Sequence, residues 1–273
     1  MSTQAIASMQ ESQELFMNYE KGQYTLWQIL GIWLAGAAPM WILSWVVAPV
    51  LTPRSPLHPA MTYWLLMIAG MAWQFVLSLV IVYRELGTLR WNLICKWTWL
   101  QVPRDPKTAK PNPKLFWWLV PAIVFYGLVG FGLARYLDTP VTWLFPNLHP
   151  AAYQDTNQLA ALNLKGQWWL LGIAVTSSLF NHFLGEEFLF RGVLLPKMQG
   201  TFGKYDWLAN AVLFGLYHMH EPWGIGTNIV QSVALTLPSK RFRSNWMAIA
   251  VHGTEGILMF VGILTVILGM RSG

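Results

Sequence analysis

Apolar residues fall into long blocks separated by short polar or proline-bearing stretches, and the length of the blocks sets the fold. A helix crossing the hydrocarbon layer of a membrane needs about 20 mostly apolar residues, and the blocks at 26–51, 61–83 and 115–137 meet that length. A fourth begins at Gln167-Trp168-Trp169 and meets no helix breaker until Pro196. The pattern therefore predicts a helix over 168–195, although Glu186, Glu187 and Arg191 interrupt its apolarity. Blocks 206–220, 224–238 and 245–270 follow, the first two bounded by Pro222 and Gly226. The expected fold class is an all-α polytopic membrane protein with about seven transmembrane helices, or eight if residues 141–148 re-enter the bilayer. Pro140, Pro146 and Pro150 argue against that re-entry, so 138–166 reads as an external loop.

Between the second and third blocks, Leu86, Leu89, Leu93, Trp97 and Leu100 recur at helical spacing, with Arg90, Asn92 and Lys96 on other faces. That amphipathic pattern predicts a basic interfacial helix over 86–100 that lies flat on the membrane surface. The proline-rich run 102–113 then reads as a solvated connector. Residues 1–25 form a polar N-terminal segment without the basic-then-apolar order of a secretory signal. At the other end, Arg271-Ser272-Gly273 matches no lipidation signal. The chain divides accordingly into a polar segment (1–25), three N-terminal helices (26–137), a loop (138–166) and a core carried by the last four helices (167–270).

Composition supports this and removes the alternatives. Only 11% of the residues are charged and 55% are hydrophobic, against about 25% charged in a soluble domain, which excludes a soluble enzyme. Cys95 is the single cysteine, so no disulfide scaffold exists within the chain. The net charge of +6 does not indicate nucleic acid, because the basic residues sit between the apolar blocks. Their distribution orients the chain instead. With the N-terminus inside, only Arg54, Arg135, Lys165 and Arg271 of the 18 Lys and Arg residues fall outside. The partners expected are membrane lipid and a membrane-borne substrate.

Ionisable side chains inside a span cost a few kcal/mol each on insertion scales, so they mark candidate chemistry. They are concentrated in the second half: His182, Glu186, Glu187, Arg191, His218, His252 and Glu255, with His220 and Glu221 at the outer end of the fifth helix. The first three helices have almost none in their interiors and read as support. Glu187 and Arg191 form an i,i+4 pair in the favourable order. Glu186 has no evident partner in its own helix except His182, one turn earlier. An unpaired carboxylate in a low-dielectric site tends to take a proton, which suits a general base or acid. Glu186, His218 and His252 fall at comparable depths, between the cytoplasmic face and the midplane, and are expected to share one polar site.

Glu186-Glu187-Phe188-Leu189-Phe190-Arg191, then Phe214-Gly215-Leu216-Tyr217-His218, then His252, resemble the three motifs of the CPBP family of intramembrane proteases. This is the CAAX protease and bacteriocin-processing family, also called Abi, which contains the type II CAAX prenyl endopeptidases. The run from His218 to Gly224 is similar to a variant of the second motif. The resemblance implies a bacterial cytoplasmic membrane enzyme that hydrolyses a peptide bond in a peptide or prenylated-protein tail. Its implied catalytic residues are Glu186, which activates water, His218, His252, and the pair Glu187 and Arg191, which holds the first-motif helix in register. The family has been described both as a metalloprotease and as metal-free. Glu186, His218 and His252 are ligand types acceptable to zinc, although their spacing is not that of a helical His-Glu-x-x-His site.

One position departs from the pattern. The third motif carries an asparagine four residues after its histidine, where this chain has Gly256. The nearby polar residue, Glu255, is expected to face a different direction. Because the asparagine and histidine would serve as donors to the oxyanion, its absence implies slow peptidase activity, and Gly256→Asn is expected to raise it where the larger side chain fits. Two alternatives stay open: a catalytically weak or inactive member that binds a partner in an immunity-type role, and a membrane protein whose Glu/His cluster relays protons or binds a ligand.

The charge distribution yields a test. With Cys95 replaced, a cysteine introduced at Thr108 should react with a membrane-impermeant thiol reagent from the cytoplasmic side only; labelling from the outside would invert the topology.

Overall fold

The computed structural model describes residues 22–270 apart from 147–148, 156–157, 160–161 and 163. Most of the expected polar N-terminal segment and the Arg271 terminus lie outside the described residues. The described chain is helical, with no strand. Four helices are long and apolar enough to cross a membrane by themselves: α1 (Leu26–Arg54), α2 (Pro59–Leu86), α4 (Pro113–Leu144) and α8 (Trp246–Ile267). Between them lie α3 (Trp91–Trp97), α5 (Trp169–Leu179), α6 (Asp206–Tyr217) and α7 (Ile225–Phe242). The protein is an all-α integral membrane protein.

Local chemistry explains the boundaries. Thr25 and Gln28 form a reciprocal capping box at the start of α1, with Thr25 N donating to Gln28 Oε1 at 2.9 Å. Pro39 lies inside α1 and cannot donate to the Ala35 carbonyl one turn back. The Trp73 indole of α2 supplies that bond at 2.9 Å. A freed carbonyl has no water to turn to in hydrocarbon, so a neighbouring helix must satisfy it. Pro59 occupies the first turn of α2, and Gly87, at φ +65°, closes it by donating to the Tyr83 carbonyl.

Several expected boundaries move. The third long helix runs on to Leu144 through Pro140, so the start of the 138–166 loop is helical. Asp138, expected in that loop, accepts from Thr227 N at 2.8 Å and from Thr227 Oγ1 at 2.7 Å. It thereby caps the first turn of α7 from another helix. The flat surface helix expected over 86–100 is short, because Gly87 ends α2 first; only Trp91–Trp97 is helical, and Leu93, Ile94 and Trp97 are buried. The connector after it is organised by a turn at Asp105, whose carboxylate accepts the Lys107 and Thr108 amides at 2.9 Å. Those bonds, that of Thr108 foremost, hold the Asp105 carboxyl below its ordinary range.

The expected continuous helix over 168–195 is interrupted. After α5, residues Phe180–Leu184 and Phe188–Leu194 wind as π-helix, and Leu195–Lys197 tightens to 3₁₀. Between the π segments, Gly185 donates to the Phe180 carbonyl five residues back, at 2.8 Å. A Cβ at Gly185 would stand 2.8 Å from the Met71 carbonyl oxygen of α2, so only glycine lets the two backbones approach this closely. Residues Phe188–Leu194, all buried, sit at the centre of the hydrophobic core.

A set of indole bonds joins α1 to the end of α6. Trp33, Trp41 and Trp45 donate to the carbonyls of Leu213, Tyr217 and Met219 at 2.7, 2.8 and 2.9 Å. The Tyr217 carbonyl is one of those a helix leaves unsatisfied at its C-terminus, and all three carbonyls belong to the segment that carries His218.

Gly185→Ala should distort this centre. An added Cβ has backbone on both sides, so a loss of about 1–3 kcal/mol is expected, as for overpacking elsewhere. A melting temperature in detergent equal to the native value would show that the π-wound segment can relax.

Candidate active site

Glu186 lies one residue beyond the Gly185 pivot and is 3% exposed. Its Oε1 accepts from the Tyr217 hydroxyl at 3.0 Å. The Asn181 amide, turned with its nitrogen toward the carboxylate, donates to Oε2 at 3.0 Å and to Oε1 at 3.2 Å. Neither partner was expected from the sequence, which pointed to His182. The reason is geometric: in an α-helix residues 181 and 186 are about 140° apart, whereas the intervening π turn brings them to one side. His182 instead directs Nδ1 to the Ser178 carbonyl at 3.1 Å and sets its ring 4.6 Å from that of His252, at 84°.

Glu187 is fully buried and ties two helices together. Its Oε1 accepts from Arg191 Nη1 at 3.1 Å and from His252 Nδ1 at 2.8 Å, while its backbone carbonyl accepts from Asn245 Nδ2 at 3.0 Å. Among the described residues Arg191 meets no second carboxylate; its guanidinium lies 3.9 Å from the centre of the Phe214 ring, in cation–π contact. The phenylalanine of the second motif thus faces the arginine of the first.

His218 ends α6. Its Nδ1 engages the Phe214 carbonyl at 2.8 Å, a partner that can only accept, so Nδ1 carries the proton and Nε2 is left for chemistry. His220 stacks on it at 5.4 Å. Glu186, His218 and His252 line one cavity of about 320 Å³, together with Tyr126, Asn181, Glu221, Gln231 and Glu255.

Glu255 faces a different direction from position 256, as expected, and still reaches His252. Residues three apart on a helix are neighbours, and Glu255 places Oε2 3.6 Å from His252 Nε2 while its Oε1 accepts from the Tyr126 hydroxyl at 2.7 Å. Tyr126, like Tyr217 and Asn181, is a polar partner that sequence reasoning missed; both tyrosines are hydroxyl-bearing residues within apolar helices, which was the available signal. The set expected for zinc, Glu186, His218 and His252, is not the one that converges. Among the described residues, the donor atoms that gather within 4.8 Å of one another belong to His182, His252 and Glu255.

The space left by Gly256 is taken. A Cβ there would stand 3.0 Å from His182 Nδ1 and 3.1 Å from both His182 Cε1 and Ser178 Oγ. An asparagine at this position would require His182 and Ser178 to give way by a few tenths of an ångström, so the room for it depends on how far His182 can move.

Residues 166–258 match the family model of the type II CAAX prenyl endopeptidases, Rce1-like. The matched segment contains Glu186, Glu187, Arg191, His218 and His252, and it is similar to the Rce1-like domain of the CAAX proteases. No curated protein and no solved structure matches the chain.

Gly256→Asn should accordingly lower thermal stability, by about 1–3 kcal/mol as in other overpacked sites, and should give no gain in turnover. Higher turnover at native stability would mean that His182 yields its place readily.

Proposed function

We propose, on the premise that residues 166–258 form an Rce1-like domain, that the protein is an intramembrane endopeptidase acting on a membrane-associated peptide or protein tail. One observation carries the reading: a buried carboxylate, Glu186, is oriented by Tyr217 and Asn181 toward the cavity that His218 and His252 also line. In this reading Glu186 takes a proton from a water in the cavity, and that water attacks the scissile carbonyl. His218 Nε2 positions the water or the leaving amine, and Glu187 with Arg191 and His252 keeps the π-wound helix and α8 in register. A donor to the developing oxyanion is worth about 100-fold or more, and its asparagine is absent at Gly256, so turnover is expected to be slow.

The CAAX proteases act on prenylated peptides. A second hollow fits that chemistry: an apolar groove of about 410 Å³, lined by Val175, Leu179, Phe183, Ile249, Ile257 and Phe260. Its polar edge is His182, which also touches the His252 ring of the catalytic cavity. A lipid chain in the groove would lay the attached peptide beside the cavity. The cytoplasmic side, where the basic connectors are placed by the charge rule, is the side from which the tail would arrive. Gly256 favours one alternative, a catalytically weak member that holds a partner tail without cutting it.

The deciding measurement is cleavage of prenylated and unprenylated C-terminal peptides by the purified, reconstituted protein. Glu186→Gln should reduce the rate by about 100-fold or more, in line with loss of a general base, at unchanged melting temperature. Equal cleavage with and without Glu186 would defeat the glutamate mechanism, and inactivity of the native protein across substrates would favour the partner-binding alternative.

A further inference from the structure

His182 and Glu255 have no part in the proposed peptidase chemistry, yet both are aimed at His252. We infer that His182, His252 and Glu255 form a binding site for one divalent transition-metal ion of the zinc class. The inference does not rest on the peptidase reading, because it follows from the arrangement of donor atoms alone.

The three residues bring one ligand atom each to within 4.8 Å of one another. Both imidazoles are anchored through Nδ1, which leaves Nε2 for the cluster, and a metal there would displace any proton on the His252 Nε2 that faces Glu255. Histidines on a metal almost always donate their outer nitrogen to a carbonyl or carboxylate, which fixes the tautomer and aims the lone pair. His182 does so through Nδ1 to the Ser178 carbonyl at 3.1 Å, and His252 through Nδ1 to Glu187 Oε1 at 2.8 Å. Both partners only accept, so in each neutral ring Nε2 is the free ligand atom. Glu255 is oriented in the same manner, with the Tyr126 hydroxyl on Oε1 and Oε2 turned to His252 Nε2.

Charge and space agree with this assignment. Among the described residues, Glu186, Glu187, Glu221 and Glu255 bring four carboxylates to this part of the bundle, against the guanidinium of Arg191. A cation among them offsets negative charge that burial makes costly. Gly256 has no Cβ to hold His182 away; one would stand 3.0 Å from its Nδ1. Two imidazoles and a carboxylate are a common zinc donor set with a fourth position open. Here that position would face the cavity, since His252 and Glu255 line it. Ligand atoms about 2.0–2.1 Å from zinc lie about 3.4 Å apart in a tetrahedron, so the set must tighten by about 1 Å. The Glu255 side chain, 45% exposed, has the freedom to move.

The test is metal binding rather than activity. The full chain, purified in detergent and stripped with a chelator, is titrated with Co²⁺, whose visible absorption reports low-coordinate nitrogen and oxygen ligation, and then with competing Zn²⁺. One equivalent should bind. His182→Asn and Glu255→Gln should each weaken binding by about 100-fold or more, and His220→Ala and Glu186→Gln should leave it unchanged. If His182→Asn fails to fold, Glu255→Gln carries the comparison. No stoichiometric Co²⁺ or Zn²⁺ on the native protein would overturn the site, leaving His252 as a cation shared between Glu187 and Glu255. Loss of binding in His218→Ala with retention in His182→Asn would overturn it equally. The Glu186→Gln variant separates the two readings, since it should abolish cleavage while retaining metal.

Discussion

A carboxylate with no exposure to solvent, at the centre of a helical bundle, has to be compensated where it stands, and Glu187 sets that requirement for the whole core. Leaving one partner of such a pair unmatched typically costs about 3–5 kcal/mol. The compensation comes from Arg191 one turn along and from His252 on α8, while Asn245 at the start of α8 holds the Glu187 backbone carbonyl. Each bond fixes a different degree of freedom: the winding of the helix after Gly185, the rotation of α8, and its height along the bundle. Once Glu187 is in place, the neighbouring Glu186 has its direction chosen for it, toward Tyr217, Asn181 and the cavity. The buried, paired carboxylate and the one that faces the cavity are thus adjacent because the first aims the second.

The π-wound stretch makes this adjacency usable. Each π turn advances the register relative to an α-helix, which is how Asn181 reaches Glu186 and how His182 is released to His252 and the groove behind it. The same device recurs in α1 at Leu43–Val47 and in α4 at Leu128–Leu133. In α4 the Tyr126 carbonyl, just before the π segment, is met by the Gln231 amide at 3.0 Å, from α7. In a membrane these irregularities persist only where a neighbouring side chain meets the loosened backbone, so they occur against other helices and around the cavity.

Much of this was legible in the sequence, and what was hidden had a common cause. Block length gave the fold class and the positions of the long helices, and the i,i+4 spacing gave the Glu187–Arg191 bond. The motif residues could be expected to meet, because buried ionisable groups must find each other. Hidden were features that depend on departures from 100° per residue: the Asn181–Glu186 contact, the release of His182 and the break at Gly185. Also hidden were long-range matches without a local pattern, such as Asp138 capping α7 and Tyr126 holding Glu255. Glu255 does face a different direction from position 256, and its place beside His252 was hidden for a simpler reason: a cavity wide enough to be lined from several helices admits both positions.

The indole bonds from Trp33, Trp41 and Trp45 are directed at backbone carbonyls, not at side chains. A joint of that kind is blind to the identity of the residues it grips. The segment 213–219 can exchange side chains over evolutionary time without loosening from α1, whereas each tryptophan on the other side is constrained individually. Drift in one half of the molecule therefore need not be answered by compensating change in the other, and the half that carries the polar cavity can be rebuilt residue by residue on an unchanged mount.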